Sequence, residues 1–212
     1  MNLADIRDDY RMASLEESEV ANNPILQFEK WMEDVLKAEV IEPNAMTIST
    51  VGAEGKPSAR IVLLKGLENG FVFYTNYESQ KGKELAENPY ASLTFFWADL
   101  QRQVRVEGKV QKISEEASIN YFHSRPKGSQ IGAAVSPQSS VIPNREFLEN
   151  RKNEIEKKYE SESQIPKPEN WGGYVLVPNR VEFWQGRSSR LHDRLIFEQE
   201  GNGNWKMERL AP

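Results

Sequence analysis

Residues 45–76 read AMTISTVGAEGKPSARIVLLKGLENGFVFYTN, and their apolar side chains recur with a period of two. Ala45–Val51 and Ser58–Lys65 alternate as half-buried strands, with a turn at Gly52–Gly55 between them. Gly66–Gly70 turns the chain into Phe71–Thr75. The spacing predicts three consecutive antiparallel strands, a meander.

The pattern changes upstream. Asn23-Pro24 is a helix start, with Asn as cap and Pro in the first turn, and Ile25, Leu26, Phe28, Trp31, Val35 and Leu36 carry an amphipathic helix to about Val40. Residues 1–22 are polar and charged, and read as a loosely attached, mobile arm.

Downstream, Glu78–Glu87 reads as a short helix stopped by Asn88-Pro89, and Ser92–Trp97 and Gln103–Ile113 as strands rich in β-branched and aromatic residues. Helices are expected from Ser114 to about Ser124, over Lys127–Val135 and over Asn144–Tyr159. Strands follow at Gly173–Val177, Val181–Gln185, Leu195–Gln199 and Trp205–Arg209, the last two joined by Gly201-Asn202-Gly203-Asn204. The strands come as antiparallel neighbours, with helices inserted between groups. This is a mainly β, α+β pattern: one domain over residues 23–212, an antiparallel sheet closed or nearly closed into a barrel with peripheral helices.

Composition narrows the chemistry. The 212 residues carry a net charge of -5, so a nucleic-acid partner is not expected. No cysteine is present, which removes disulfides, thiolate nucleophiles and Cys-based metal sites. The only histidines are His123 and His192, so a His-rich metal site is not expected and no metal residue is assigned, although carboxylates alone could hold Mg²⁺ or Ca²⁺. Met1–Val20 has no apolar run of the signal-peptide kind, and no stretch reaches membrane-spanning length. A cytoplasmic protein without a membrane partner is expected.

Five cationic or hydroxyl-bearing pieces stand against the acidic background. Arg60 and Lys65 end an apolar strand on opposite faces, either to hold two anions or as solvated termini. Tyr74-Thr75-Asn76, followed by Lys81 at a helix start, offers a phosphate cradle or a plain lysine-rich helix. Tyr121 and Arg125 share a helix face, and Ser129 sits in the first turn beyond the Pro126 break, a set that suits a phosphate monoester. His123 points to another face and reads as structural. Gln138-Ser139-Ser140 is a polar turn. Last, Arg187, Arg190, His192 and Arg194 fall within eight residues between apolar strands. Their cations should favour a neutral His192.

Together, RIVLLK (60–65), FYTN (73–76), RQV (102–104), YFHSRP (121–126), SQIG (129–132), QSS (138–140), WGG (171–173), EFWQG (182–186), RLHDR (190–194) and RLAP (209–212) resemble the pyridoxamine/pyridoxine 5′-phosphate oxidase family, in the family's order and over nearly the whole chain. The resemblance implies an FMN-binding split barrel working as a homodimer, with FMN at the subunit interface. It implies oxidation of pyridoxamine 5′-phosphate or pyridoxine 5′-phosphate to pyridoxal 5′-phosphate, with O2 giving H2O2.

Carried over by motif, Arg60, Ile61, Val62, Leu63, Leu64, Lys65, Tyr74, Thr75, Lys81, Gln103, Gln138, Ser139, Trp184 and Arg194 would hold FMN. Lys65, Tyr121, Arg125 and Ser129 would grip the substrate phosphate. Arg190 and His192 would face the substrate ring as the catalytic pair, and Arg7 and Tyr10 would cover the site. The family commonly has a second cation before the lysine at 81; here it is Gln80, which implies weaker FMN binding. Two other readings fit part of the pattern: a flavin reductase of the same fold, and a non-catalytic FMN- or pyridoxal-phosphate-binding protein.

Overall fold

The computed structural model describes residues 9–201 and 203–212. The elements run α1 (Pro24–Lys37), β1 (Ala45–Val51), β2 (Pro57–Leu63), β3 (Phe71–Asn76), α2 (Gln80–Glu87), β4 (Tyr90–Trp97), β5 (Arg102–Lys112), α3 (Glu115–Ser124), α4 (Lys127–Val135), α5 (Arg145–Lys158), β6 (Trp171–Gln185), β7 (Asp193–Gln199) and β8 (Trp205–Arg209). Asn23 caps α1 by accepting from the Ile25 N–H, and Ser79, Ser114 and Asn144 cap α2, α3 and α5 in the same manner. The first helix ends at Lys37, short of Val40, because Glu39 takes a left-handed backbone (φ 53°).

Every strand pair is antiparallel, in the order β2-β1-β4-β5-β6-β7-β8, with β3 added beside β6. This corrects the meander. β2 returns along β1, but β3 pairs residue by residue with Trp171–Leu176 of β6. β3 is bonded to the segment just after β2 through the Gly66–Val72 bridge, where the Lys65 N–H donates to the Val72 carbonyl at 2.8 Å. That bridge closes the circuit β2-β1-β4-β5-β6-β3 into a barrel. A strand with both faces covered does not alternate, and β3 is buried at five of its six positions.

The segments Gly173–Val177 and Val181–Gln185 are likewise one strand of 15 residues. Pro178 cannot donate to a ladder, yet the strand continues because β5 shifts register there: Glu107 faces Arg180 and Gly108 faces Pro178, leaving Asn179 as a bulge. β6 therefore has two halves. Its first half pairs with β3, its second half with β7, and β5 runs along the other edge of both. The barrel forks at the bulge, and β7 and β8 continue the fork.

The alternation in β1 turns Met46, Ile48 and Thr50 inward. Met46 and Ile48 join Leu93, Phe95, Trp97, Val104, Val106, Phe71, Phe73, Leu176, Phe183 and Phe197 in the barrel core, while Thr50 bonds Arg60 and Glu84. Burial of each such side chain is worth about 1.5–3 kcal/mol. α1 lays Phe28 against Phe71, Phe95 and Trp97, and Trp31 edge-on to Phe183. A second cluster, Phe122, Ile131, Val135, Ile165 and Trp171, lies beneath α3 and α4 at the first end of β6.

Candidate active site

A cavity of about 660 Å³ opens at the Trp171 end of β6, between the ends of β2 and β3, the start of α2 and the α3–α4 junction. Of the residues singled out in the sequence, Ile61, Val62, Leu63, Lys65, Tyr74, Thr75, Lys81, Tyr121, Arg125, Ser129 and Gln138 line it. Leu64 instead packs into the barrel core.

One wall is aromatic. Tyr74 stacks on Tyr121 (centroids 3.8 Å apart, planes 18° apart) and on Trp171 at 5.4 Å. Trp171 is a wall residue that sequence reasoning missed. Its signal was the pair of glycines after it: a Cβ at Gly172 would collide with the Tyr77 hydroxyl, so only glycine lets the strand pass there.

Three cations line this cavity; Lys65 is exposed, while Arg125 and Lys81 are more enclosed and have no anionic partner among the described residues. Arg125 precedes the Pro126 that starts α4; its Nη2 donates to the Ser129 carbonyl at 2.8 Å and its guanidinium lies 4.8 Å from the Trp171 ring centre. Its Nη1 is buried with no hydrogen-bond partner. Burial pulls its pKa down. Lys81, 7% exposed, donates to Thr75 Oγ1 (3.1 Å), Gln138 Oε1 (3.3 Å) and Ser79 Oγ (3.4 Å), all neutral. Burial pulls its pKa down too, Arg60 adds to this, and Glu84 opposes it. A buried cation with neutral partners, and a buried N–H with none, are stable arrangements when an anion from outside completes them.

Arg60 is placed differently. Its guanidinium turns to Ser58 Oγ, Thr50 Oγ1 and Glu84 (3.3 Å) and does not line the cavity. Burial pushes the Glu84 carboxyl up, but bonds from Ser58, Thr50 and Gln80, together with Arg60, outweigh it and hold the pKa at about 2. Gln80 thus serves Glu84 through a 2.9 Å bond.

The remaining predicted residues gather at the other end of β6. Register places Gln103, Trp184 and Arg194 in one row across β5, β6 and β7. Arg194 grips the buried Glu182 with two bonds (2.8 and 3.1 Å) and donates to the Ala211 carbonyl. Trp184 lies 4.6 Å from His192 and 5.8 Å from Tyr10, which meets it edge-on. His192 Nδ1 accepts from the Arg187 N–H at 3.1 Å, so in the neutral ring the proton sits on Nε2. Burial first, and Arg190 second, lower its pKa, while Asp193 opposes them. Ser189 and Arg190 both take left-handed backbones (φ 56° and 61°), as does Ser139 (φ 69°). Such conformations in non-glycine residues concentrate at functional sites. A Cβ on Gly186 would lie 2.7–2.9 Å from the Tyr10 ring, so glycine lets the arm lie flat on the turn. Arg7 lies outside the described residues. His123 bonds the Ile165 carbonyl through Nε2 at 3.1 Å, a structural contact.

One chain does not bring the two groups together. Trp171 and Trp184 are separated along β6 by thirteen residue steps, roughly 40 Å of extended strand. Ile61, at the cavity, and Phe96, in the row of Gln103 and Trp184, are exposed (63% and 56%). Among the described residues, no group of three or more acidic or histidine side chains could hold a metal, and no helix is long and apolar enough to cross a membrane.

Known proteins resemble this chain over its full length. A family model described as pyridoxamine 5′-phosphate oxidase matches residues 32–159, and one described as the pyridoxine 5′-phosphate oxidase C-terminal dimerisation region matches residues 171–212. The chain is 55% identical to a pyridoxine/pyridoxamine 5′-phosphate oxidase of Nostoc punctiforme, covering 99% of this chain and 98% of that protein. It is 53% identical to its namesake in Leptospira interrogans, with the same coverage. Among solved structures, PhzG from Burkholderia lata, in complex with tetrahydrophenazine-1-carboxylic acid, superposes with a TM-score of 0.89 at 28% identity, over 97% of this chain and 100% of that one. A pyridoxamine 5′-phosphate oxidase-related, FMN binding protein from Nostoc punctiforme, 18% identical, shares the fold with a TM-score of 0.71, over 90% of this chain and 98% of that one.

Proposed function

The chain belongs to the pyridoxamine 5′-phosphate oxidase family, and on that premise we propose that it oxidises pyridoxamine 5′-phosphate and pyridoxine 5′-phosphate to pyridoxal 5′-phosphate. FMN, when bound, would supply the two-electron redox chemistry, with O2 as acceptor giving H2O2; the amine substrate also takes up one water and releases ammonia. The observation that carries this reading is the pair of cations in one cavity, buried Lys81 and half-buried Arg125 with its shielded Nη1, that have no anionic partner among the described residues. Two phosphate monoesters, one on the cofactor and one on the substrate, satisfy both.

Lys81, Thr75 and Gln138 would hold the FMN phosphate, with Tyr74, Ser139 and the stretch Ile61–Leu63 around the cofactor; Arg60, bound to Glu84, would join them only by leaving that carboxylate, and Leu64 supports the stretch from the core. Arg125, Lys65, Tyr121 and Ser129 grip the substrate phosphate and fix its ring at one distance from the cofactor. Gln103, Trp184 and Arg194 complete the cofactor site. Arg190 and His192 bear on the substrate ring, with Arg7 and Tyr10 closing over it. The neutral His192 carries its proton at Nε2, and so offers a donor to a ring substituent or a leaving group.

Residues 171–212 match the family's dimerisation region, and the chain works as a homodimer. In our reading FMN lies at the subunit interface: the Trp171 end of one copy meets the Trp184 end of the other, because the span of β6 keeps them apart within a copy. Residues 23–212 act as one catalytic domain and residues 1–22 as its arm, in a cytoplasmic protein. The test is the flavin spectrum of the purified protein and its H2O2 release with pyridoxamine 5′-phosphate. A colourless protein that takes up no FMN, or a flavoprotein inert toward this substrate, overturns the reading.

A further inference from the structure

Three segments far apart in sequence meet on one carboxylate. Asp193 Oδ2 accepts from the Leu15 backbone N–H (3.1 Å) and from Arg187 Nη1 (3.0 Å), and Oδ1 accepts from Arg209 Nη1 (2.9 Å). Its side chain is 14% exposed. Leu15 is pinned on both sides, because Arg209 Nη2 donates to its carbonyl at 2.9 Å while its side chain enters the barrel core. Arg209 also binds Glu16 and Glu17 of the arm.

From Leu15 back toward the N-terminus the arm lies along the turn. The Arg11 and Met12 N–H groups both donate to Gln101 Oε1. Tyr10 packs on Gly186, Trp184 and His192. Asp9 accepts from the Ser189 N–H. The same carboxylate that holds the arm at Leu15 therefore holds the turn at Arg187, whose own N–H orients His192.

We propose that Asp193 is a positioning residue: it fastens the N-terminal arm to the turn bearing Arg190 and His192, so that arm and turn present one preassembled lid to the substrate. Asp193 acts through Tyr10 and the turn and does not touch the substrate itself. The inference rests on the assignment of Tyr10, Arg190 and His192 to the substrate side of the site. A carboxylate that only neutralised Arg187 and Arg209 would matter for stability; this one also sets the population of the closed arm. In this proposal the arm covers the substrate and does not act on the reacting atoms, so its release should show mainly as binding lost.

The experiment uses the full-length, FMN-loaded dimer. Asp193→Asn keeps the shape but turns an amide toward the arginines. It should raise the rate of trypsin cleavage after Arg11 about tenfold without substrate, and raise KM for pyridoxamine 5′-phosphate about tenfold with kcat within about twofold. Tyr10→Ala should raise KM as well, and the double variant should be no worse than the poorer single, because both act through one lid. Arg209→Gln, which leaves Asp193 in place, should speed cleavage in the same direction and carries the test if Asp193→Asn does not fold. Cleavage unchanged in a folded variant, or KM effects that simply multiply, overturn the proposal. Wild-type protein inert toward pyridoxamine 5′-phosphate would instead count against the substrate assignment, and the cleavage measurement would still decide the role of Asp193.

Discussion

In the cavity at the Trp171 end of β6, Lys81 and Arg125 have no anionic partner among the described residues; at the Trp184 end, Arg187, Arg194 and Arg209 are paired with carboxylates. Lys81 has only neutral acceptors and Arg125 keeps one buried nitrogen unbonded. Arg194, Arg187 and Arg209 are each held by Glu182 or Asp193. The difference separates two uses of arginine. An unpaired buried cation is stabilised by an incoming anion, so the first end is a receptor for phosphate. A paired one is already neutralised, so the second end supplies rigid placement of rings and hydrogen bonds.

The largest effect should therefore come from Arg125→Ala. It removes a charge-assisted grip worth about 2–3 kcal/mol, so kcat/KM for pyridoxamine 5′-phosphate should fall about 100-fold. Melting temperature should hardly change, and turnover of unphosphorylated pyridoxamine should not fall further. A large loss of stability in this variant would break the contrast.

Arg194→Ala should do the reverse. It leaves the buried Glu182 with Arg105 alone, and stability measured by denaturant unfolding should drop by about 2 kcal/mol. A stability equal to wild type would show that the paired end is not structural.

Gln80→Arg adds a cation beside Glu84 and should tighten FMN binding roughly fivefold, read by quenching of flavin fluorescence. An unchanged dissociation constant would mean that position 80 does not sense the cofactor phosphate.

The smallest effect concerns His192. Its NMR titration should fall below the ordinary imidazole value, since burial and Arg190 both disfavour the charged ring, and Arg190→Ala should move it back up. A folded pKa below the unfolded one stabilises the protein above the unfolded value, and the contribution is lost as pH falls through the folded value. Activity should fail on the acid side in step with this titration.

Much of the fold was legible in the sequence because local rules governed it. The Asn23-Pro24 start of α1, the bounds of α4 and the β7–β8 hairpin depend on caps, breakers and period, and they stand where those signals put them. The partner of β3 and the continuity of β6 were not legible. The first depends on pairing between segments about a hundred residues apart, the second on pairing with β5 about seventy residues away and on a bulge that carries Pro178 through the ladder. In the candidate site, Tyr121, Arg125 and Ser129 could be grouped from their closeness in sequence around the Pro126 break, but Arg125 does not share the helix face of Tyr121: it is the extended cap after α3, which ends at Ser124. The Glu84 carboxylate that claims Arg60, and the Asp193 carboxylate that binds Leu15, could not be foreseen, since their partners lie across the sheet or in the arm.

The length of β6 has a consequence that can be read in genetics. If each site draws its cavity from one copy and its turn from the other, Arg125→Ala and Arg190→Ala disable different halves of the same machine. Either alone disables both sites of a homodimer. In a mixed dimer both lesions fall in one site and leave the other whole. Co-expression of the two alleles should then recover about a quarter of wild-type activity through random pairing of chains related by a two-fold axis. Two alleles from the same end of β6, such as Arg125→Ala and Lys81→Ala, should never complement.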